Sequence, residues 1–171
     1  MAIARRQPGE GGIMYHVNRV KEYLDQQHVP YQHMVHRTAY TAQEVAAEEH
    51  IPGKMVAKTV IVRVDGRFAM AVVPATVRVD LAALKSFLGA EEVRLANELE
   101  FTGLFADCDV GAMSPFGNLY GLPVYVEESL TRDPEIVFNA GTHQDTIHMK
   151  YEDFARLVEP RVFSFALVHA V

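Results

Sequence analysis

The stretch from Met55 to Val73 constrains the fold more than any other, because two β-branched runs flank the dipeptide Asp65-Gly66. Asp-Gly suits a two-residue hairpin, whose central positions both take positive φ. The expected strands are Met55–Val64 and Arg67–Val73, paired antiparallel. Alternate residues of a strand share a face, so Val56, Lys58, Val60, Val62 and Val64 point the same way. Four valines mark that face as buried, and an ammonium among them is costly unless it is paired or used. Lys58 is therefore either a working residue or a lysine at a sheet edge that carries its charge out to water.

Shorter elements surround this hairpin. The spacing of Val17, Val20, Lys21 and Leu24 predicts an amphipathic helix ending near His28, before Pro30, and a strand follows at Tyr31–Val35. Thr41 and Glu44 form a Thr-x-x-Glu capping box for a helix through Ala46 and Ala47 that stops before Pro52-Gly53. Asp80 caps a helix through Leu88, ended by Gly89, and Asn97 with Glu100 opens another that extends to Phe105. A Gly/Pro-rich stretch, Gly111–Pro123, leads to the strand Val124–Glu127. Strands Ile136–Ala140 and Thr146–Met149 turn through Gly141, and Tyr151–Val158 closes as a helix. Helices interrupt short strands irregularly, which favours an α+β fold with a mixed, largely antiparallel sheet flanked by helices.

A chain of 171 residues suits one domain and buries roughly two-thirds of its unfolded surface. Residues 1–12 lack periodicity and read as a flexible tail, leaving residues 13–171 as the single domain. No apolar run reaches the roughly 18 residues of a membrane span, and no secretory signal is legible. Cys108 is the single cysteine, so an internal disulfide is excluded and a reducing cytoplasm is the expected location. The formal net charge is −6. Gripping a nucleic-acid backbone calls for the opposite sign, so any such contact should be local, at a strand end.

Three further groups are candidates for chemistry. Gly111-Ala112-Met113-Ser114-Pro115-Phe116-Gly117 fixes an irregular backbone that approaches a ligand closely or aims amides at an oxyanion, or else is a structural loop. Its spacing is not that of a Gly-x-Ser-x-Gly nucleophile elbow, and no His and acid partners for Ser114 can be picked out. Gly141-Thr142-His143-Gln144 sits at a strand turn, where His143 either contacts substrate or is merely exposed. Cys108 reads as a nucleophile or as a small core residue. The eight histidines have no metal-binding spacing, since His33 and His36 fall on opposite strand faces, as do His143 and His148. Neither a Gly-x-Gly-x-x-Gly nor a Walker loop is present.

The ordered set His36, Glu44-x-Ala46, Lys58-Thr59, Asp65-Gly66, Val73-Pro74, Asp80-Leu81, Gly111-x-x-x-Pro115-x-Gly117, Asn139-x-Gly141 and Asp153-Phe154 resembles the YbaK and prolyl-tRNA synthetase-associated editing-domain family. The likeness spans roughly residues 15–160. It implies one α+β domain that hydrolyses the ester joining a wrong, small amino acid to the 3′ end of a tRNA, without metal or cofactor. It implies a catalytic role for Lys58, whose partner would be phosphate, ribose or the α-amino group. Substrate contacts would come from His36, Thr59, Gly111, Ala112, Met113, Ser114, Pro115, Gly141, Thr142 and His143. The expected partner is the tRNA acceptor end, and some members of the family also borrow an aminoacyl-tRNA synthetase. A non-catalytic module that binds a nucleotide or aminoacyl ligand is the alternative. Ser114 before the motif proline is a departure from the family pattern.

Overall fold

The computed structural model describes residues 15–168, so the tail expected over residues 1–12 lies outside the described part. Helix α1 (His16–Gln26) buries His16, Val20 and Leu24 at four-residue spacing. Strand β1 (Tyr31–Val35) leads to α2 (Ala42–Glu48). Thr41 Oγ1 accepts from Glu44 N at 3.1 Å, but the Glu44 carboxylate returns to Tyr40 N at 2.9 Å, one residue upstream of the expected box. A 3₁₀ turn at Gly53–Met55 delays strand β2 to Ala57–Val64, two residues after the expected Met55 start. Strand β3 (Arg67–Pro74) returns through a turn with φ of 49° at Asp65 and 81° at Gly66, as the Asp-Gly pair requires.

Strand β4 (Val77–Val79) precedes α3 (Leu81–Leu88), which Asp80 caps by accepting from Ala83 N at 3.0 Å and Gly89 ends in the left-handed region. After β5 (Val93–Leu95) comes α4, which covers only Glu98–Phe101 rather than the expected stretch to Phe105. Its Asn97–Glu100 capping box is complete, so the helix begins as expected. It fails at Thr102-Gly103, where the Thr102 hydroxyl bonds Glu98 O and Leu104 N turns back to Phe101 O in a tighter turn. Strands β6 (Val124–Glu127), β7 (Glu135–Asn139) and β8 (Asp145–Lys150) follow, then α5 (Tyr151–Val158), β9 (Arg161–Phe163) and β10 (Ala166–Val168).

The strands form a five-stranded sheet ordered β5-β2-β3-β6-β9, an antiparallel sheet β1-β8-β7, and a small β10-β4 pair. In the five-stranded sheet β3, β6 and β9 run parallel and the other pairings are antiparallel, so the fold is the expected mixed α+β arrangement. One face of that sheet packs Val62, Ala69, Ala71, Val73, Tyr125 and Phe163 against Leu84 of α3. The opposite face packs Ala57, Ile61, Met70 and Val126 with Val20 and Leu24 of α1 and Phe154 of α5. Both faces are therefore covered by helices.

Two details of this topology make the site. First, β5 pairs with β2 only over Val62–Val64, so at Lys58 strand β2 has a ladder partner, Val73 of β3, on one side alone. Second, Val56 forms a parallel bridge with Val137, joining the two larger sheets. Val56 belongs to a separate cluster with Ala39, Val45, Ala75 and Val137, rather than extending the valine face that Lys58 was expected to share. The apolar face thus runs from Val60 to Val64, and Lys58 stands where it ends.

Candidate functional site

The seam between the sheets opens into a cavity of about 370 Å³ lined by Tyr40, Thr41, Ala42, Gln43, Ala57, Lys58, Thr59, Ala75, Gly111, Met113 and Asn139. The Val56–Val137 bridge explains two of these walls. Lys58 and Asn139 each lie two residues beyond the bridged pair, and parallel neighbours at equal offsets project to the same side. Segment Tyr40–Gln43, leading into α2, forms another wall, and Gly111 with Met113 brings in the glycine loop.

Lys58 is the one charged residue among those walls. Among the described residues no carboxylate lies within ion-pairing distance of its ammonium. Burial holds its pKa below the ordinary lysine value, and the nearby Arg78 cation pushes the same way. Two buried acceptors in the same walls, Thr59 Oγ1 and Asn139 Oδ1, have no hydrogen-bond partner among the described residues. Buried polar groups are ordinarily bonded, so these two oxygens are exceptions, and both belong to residues that line the same cavity as Lys58. Met113, Ala57 and Ala75 supply the apolar part of the lining.

The sequence-expected residues divide into three sets. Lys58, Thr59, Gly111 and Met113 come together in the cavity. His143 lies at the rim: its ring is 5.0 Å from that of Tyr40, and its Nδ1 is buried without a partner among the described residues. A Cβ built on Gly111, whose φ is 82°, would approach His143 Cε1 to 3.9 Å, so the glycine loop and the late turn touch. The remaining expected residues are not among those that line the cavity. Ala112, Ser114, Pro115 and Gly141 are buried, and Thr142 spends its hydroxyl on Asp145 Oδ2 at 2.6 Å, closing its own turn. His36 leaves β1 with its backbone N bonded to Gln144 O at 2.9 Å. Its Nε2 is buried with no hydrogen-bond partner among the described residues, and the His36 ring adds to the lowering of the Glu49 pKa, which burial raises but the His148 and Thr146 bonds bring down overall.

Sequence reasoning passed over Tyr40, Gln43, Ala75 and Asn139 as site residues. Asn139 alone carried a signal, as part of the Asn139-x-Gly141 motif; Tyr40 and Gln43 reach the cavity on the segment leading into α2, and Ala75 through its backbone bond to Val56. The partners that could not be picked out for Ser114 are also now visible. His16 Nε2 is 2.5 Å from Ser114 Oγ, and Tyr120 and Asp107 lie beyond the imidazole. Ser114 is 0% exposed, however, and does not line the cavity, so it is no accessible nucleophile. Burial pushes the Cys108 thiol up to about 12, which keeps it protonated and unreactive at neutral pH.

Comparison with known proteins bears on what this arrangement is for. The description "Aminoacyl-tRNA editing domain" matches residues 36–157. The chain is 30% identical over 114 residues to the multifunctional Ser/Thr-tRNA deacylase ProXp-y of Escherichia coli K12, covering 64% of this chain and 68% of that protein. It is 29% identical over 118 residues to a proline–tRNA ligase of Desulfovibrio desulfuricans, covering 69% of this chain but 20% of the ligase. A crystal structure of a candidate trans-editing enzyme for prolyl tRNA synthetase superposes with a TM-score of 0.78 and 20% identity, covering 91% of this chain and 99% of that one. That last likeness speaks for the fold, while the match over residues 36–157 speaks for kinship: the chain belongs to the aminoacyl-tRNA editing domain family.

Proposed function

We propose that the protein is a trans-editing deacylase that hydrolyses the ester between a small amino acid and the 3′ end of a mischarged tRNA. The observation that carries this reading is the single uncompensated cation, Lys58, beside the unpaired acceptors Thr59 Oγ1 and Asn139 Oδ1 in one small cavity. At about 370 Å³ the cavity is near the lower end for a small-molecule site, where about 300–1,000 Å³ is usual. No carboxylate lines it, so an α-ammonium group would be met by the neutral oxygens of Thr59 and Asn139. The ammonium of Lys58 is then free for negative charge, either a terminal phosphate or the developing oxyanion.

An aminoacyl ester is already activated, so positioning and charge stabilisation suffice. Water attacks the ester carbonyl carbon, the bond to the ribose oxygen breaks, and that oxygen leaves with a proton. The vicinal hydroxyl of the terminal ribose is the proposed proton carrier, since among the described residues no histidine or carboxylate lines the cavity and His143 stands only at its rim. Lys58 orients the substrate and offsets the oxyanion charge; the backbone of Gly111–Met113 closes the acyl side. The apolar walls Met113, Ala57 and Ala75 favour a small side chain by excluding larger ones. The ProXp-y relative acts on Ser- and Thr-tRNA by its name, which makes those and alanyl esters the first substrates to try.

The test is a panel of mischarged tRNAs, assayed with and without the matching aminoacyl-tRNA synthetase. At least one small-residue ester should be hydrolysed well above background, and Lys58→Ala should remove that activity. Full activity in Lys58→Ala would sink the assignment of Lys58. Saturable binding of an aminoacyl-adenosine analogue without turnover on any tRNA would make the protein a binding module instead.

A further inference from the structure

His16 opens α1 and is fully buried, an uncommon place for an imidazole. Its ring reaches three polar groups from later segments. Nε2 lies 2.5 Å from Ser114 Oγ, while Nδ1 meets the Tyr120 hydroxyl and lies 3.6 Å from Asp107 Oδ2. The Tyr120 hydroxyl is in turn 3.0 and 2.9 Å from the two Asp107 oxygens.

Counting protons selects one arrangement. The phenol has a single proton and donates it in a hydrogen bond to the Asp107 carboxylate, which only accepts. The phenol oxygen then accepts from Nδ1–H, which leaves Nε2 bare to accept the Ser114 hydroxyl. Ser114 Oγ keeps a lone pair for Phe116 N–H at 3.4 Å. The opposite tautomer leaves the Ser114 hydroxyl without an acceptor among the described residues.

The same ring is a wedge between the two site loops. A Cβ built on Gly141, whose φ is 98°, would lie 2.6 Å from His16 Cβ and 3.1 Å from the ring. Gly141 N donates to Ala112 O at 2.8 Å, Asp109 N donates to Gly141 O at 2.7 Å, and His16 N donates to Asp107 O at 3.2 Å. One end of α1 therefore touches the glycine loop through Ser114, the late turn through Gly141, and the segment that precedes the glycine loop through Asp107.

His16, Asp107 and Cys108 also place one ligating atom each within 4.8 Å of the others, a spacing a metal ion would tolerate. The hydrogen bonds favour the other use, since both ring nitrogens and the carboxylate already have partners and the thiol is held protonated. We propose that His16 is a positioning residue of this site, acting through Ser114 and Gly141 to hold the Gly111–Pro115 loop against the Gly141–His143 turn. The charged and titratable groups facing the ring are Asp107, Arg19, Cys108 and Tyr120. Burial lowers the His16 pKa, Asp107 opposes this and Arg19 reinforces it, with a net value of about 4, so the relay persists at neutral pH. The kinetic consequence of this role rests on the deacylase reading; the structural consequence does not.

The tests use the full chain labelled with ¹⁵N. At pH 7 the long-range ¹H–¹⁵N spectrum of His16 should show the neutral Nδ1–H tautomer, unchanged by one equivalent of Zn²⁺. An Nε2–H ring, an imidazolium or a zinc-bound ring would overturn the proposal. In His16→Leu the amide resonances of Gly111, Ala112 and Gly141 should shift together. They should return towards their original positions in His16→Gln, whose carbonyl can accept from Ser114. Unmoved amides would overturn it, and Ser114→Ala gives the same comparison if His16→Leu does not fold. On a mischarged tRNA that the wild type deacylates, His16→Leu should lose about 10- to 100-fold in kcat with little change in KM, the size of effect that small misplacements produce. His16→Gln should recover most of it. An unchanged kcat despite shifted amides would also overturn the proposal. A wild type inactive on every tRNA would sink the deacylase reading instead, and the spectra would still judge His16.

Discussion

A partly buried lysine with no ion pair among the described residues is a reactive group, and Lys58 is one. Its pKa is lowered by burial first and by Arg78 second, so at pH 8 its amine is deprotonated more often than that of a surface lysine. Limited acylation at that pH, followed by peptide mass analysis, should modify Lys58 early, and an aminoacyl-adenosine analogue should protect it. Equal labelling of Lys58 and the exposed Lys54, with no protection, would count against a guest that contacts the amine. The second residue-scale prediction concerns His16. Its folded value of about 4 lies below the ordinary 6.5, so the unfolded chain binds a proton at a pH where the folded chain does not. Stability from this group is therefore complete above about pH 6.5 and declines as the pH falls towards 4, by on the order of 3 kcal/mol. Urea unfolding of the wild type and His16→Gln at pH 7 and pH 5 should show a steeper acid loss in the wild type. Parallel pH dependence in the two would contradict it.

Caps and turns act at the scale of elements, and α3 offers a clean case. Asp80 satisfies an otherwise free amide at 3.0 Å and stands at the entry to a helix that covers the Val60–Val64 face. Asp80→Ala should cost about 1 kcal/mol, read as a lower denaturation midpoint with an unchanged denaturant slope. At the entry to β6 the constraint is steric: a Cβ on Gly117 would sit 2.5 Å from Val124 Cγ2 and 2.7 Å from Leu122 O. Backbone cannot yield as a side-chain tip can, so Gly117→Ala should destabilise by about 1–3 kcal/mol, measured the same way. The elements that were legible in the sequence share a local cause. Asp65-Gly66, Asp80 and Gly89, Asn97 with Glu100, and Thr41 each fix an end by contacts within a few residues. Strands β4, β5, β9 and β10 were not legible, because three residues show no periodicity and exist only through partners far along the chain, as when β10 pairs with β4. The site divides the same way. Lys58 is conspicuous against its valines, whereas Asn139 and Ala75 depend on the bridge between Val56 and Val137, and His16 acts on a serine far along the chain. The stripe at His16, Val20 and Leu24 does carry a helical period, but a histidine within it does not announce itself as core.

At the scale of the whole molecule, charge limits how a tRNA can be held. The net charge is −6, and the cation within the cavity is Lys58 alone. A protein that wrapped the tRNA body would neutralise many phosphates and lose affinity steeply with salt. Contact confined to the single-stranded acceptor end would engage two or three phosphates. With about 0.7 counterions released per single-strand phosphate, log(kcat/KM) should fall with log[salt] at a slope of about −2. The same confinement predicts that a minihelix carrying only the acceptor stem should be deacylated nearly as well as the full tRNA. A slope steeper than about −5, or a minihelix weaker by more than tenfold, would instead require a large basic contact surface. Should those steep values appear only when a synthetase is present, the extra phosphate contacts would be the synthetase's, and the chain would still meet the tRNA at its 3′ end alone. The comparison with and without synthetase therefore separates a weakness of the editing site from a division of labour, in which one protein holds the tRNA body and this one reads the ester.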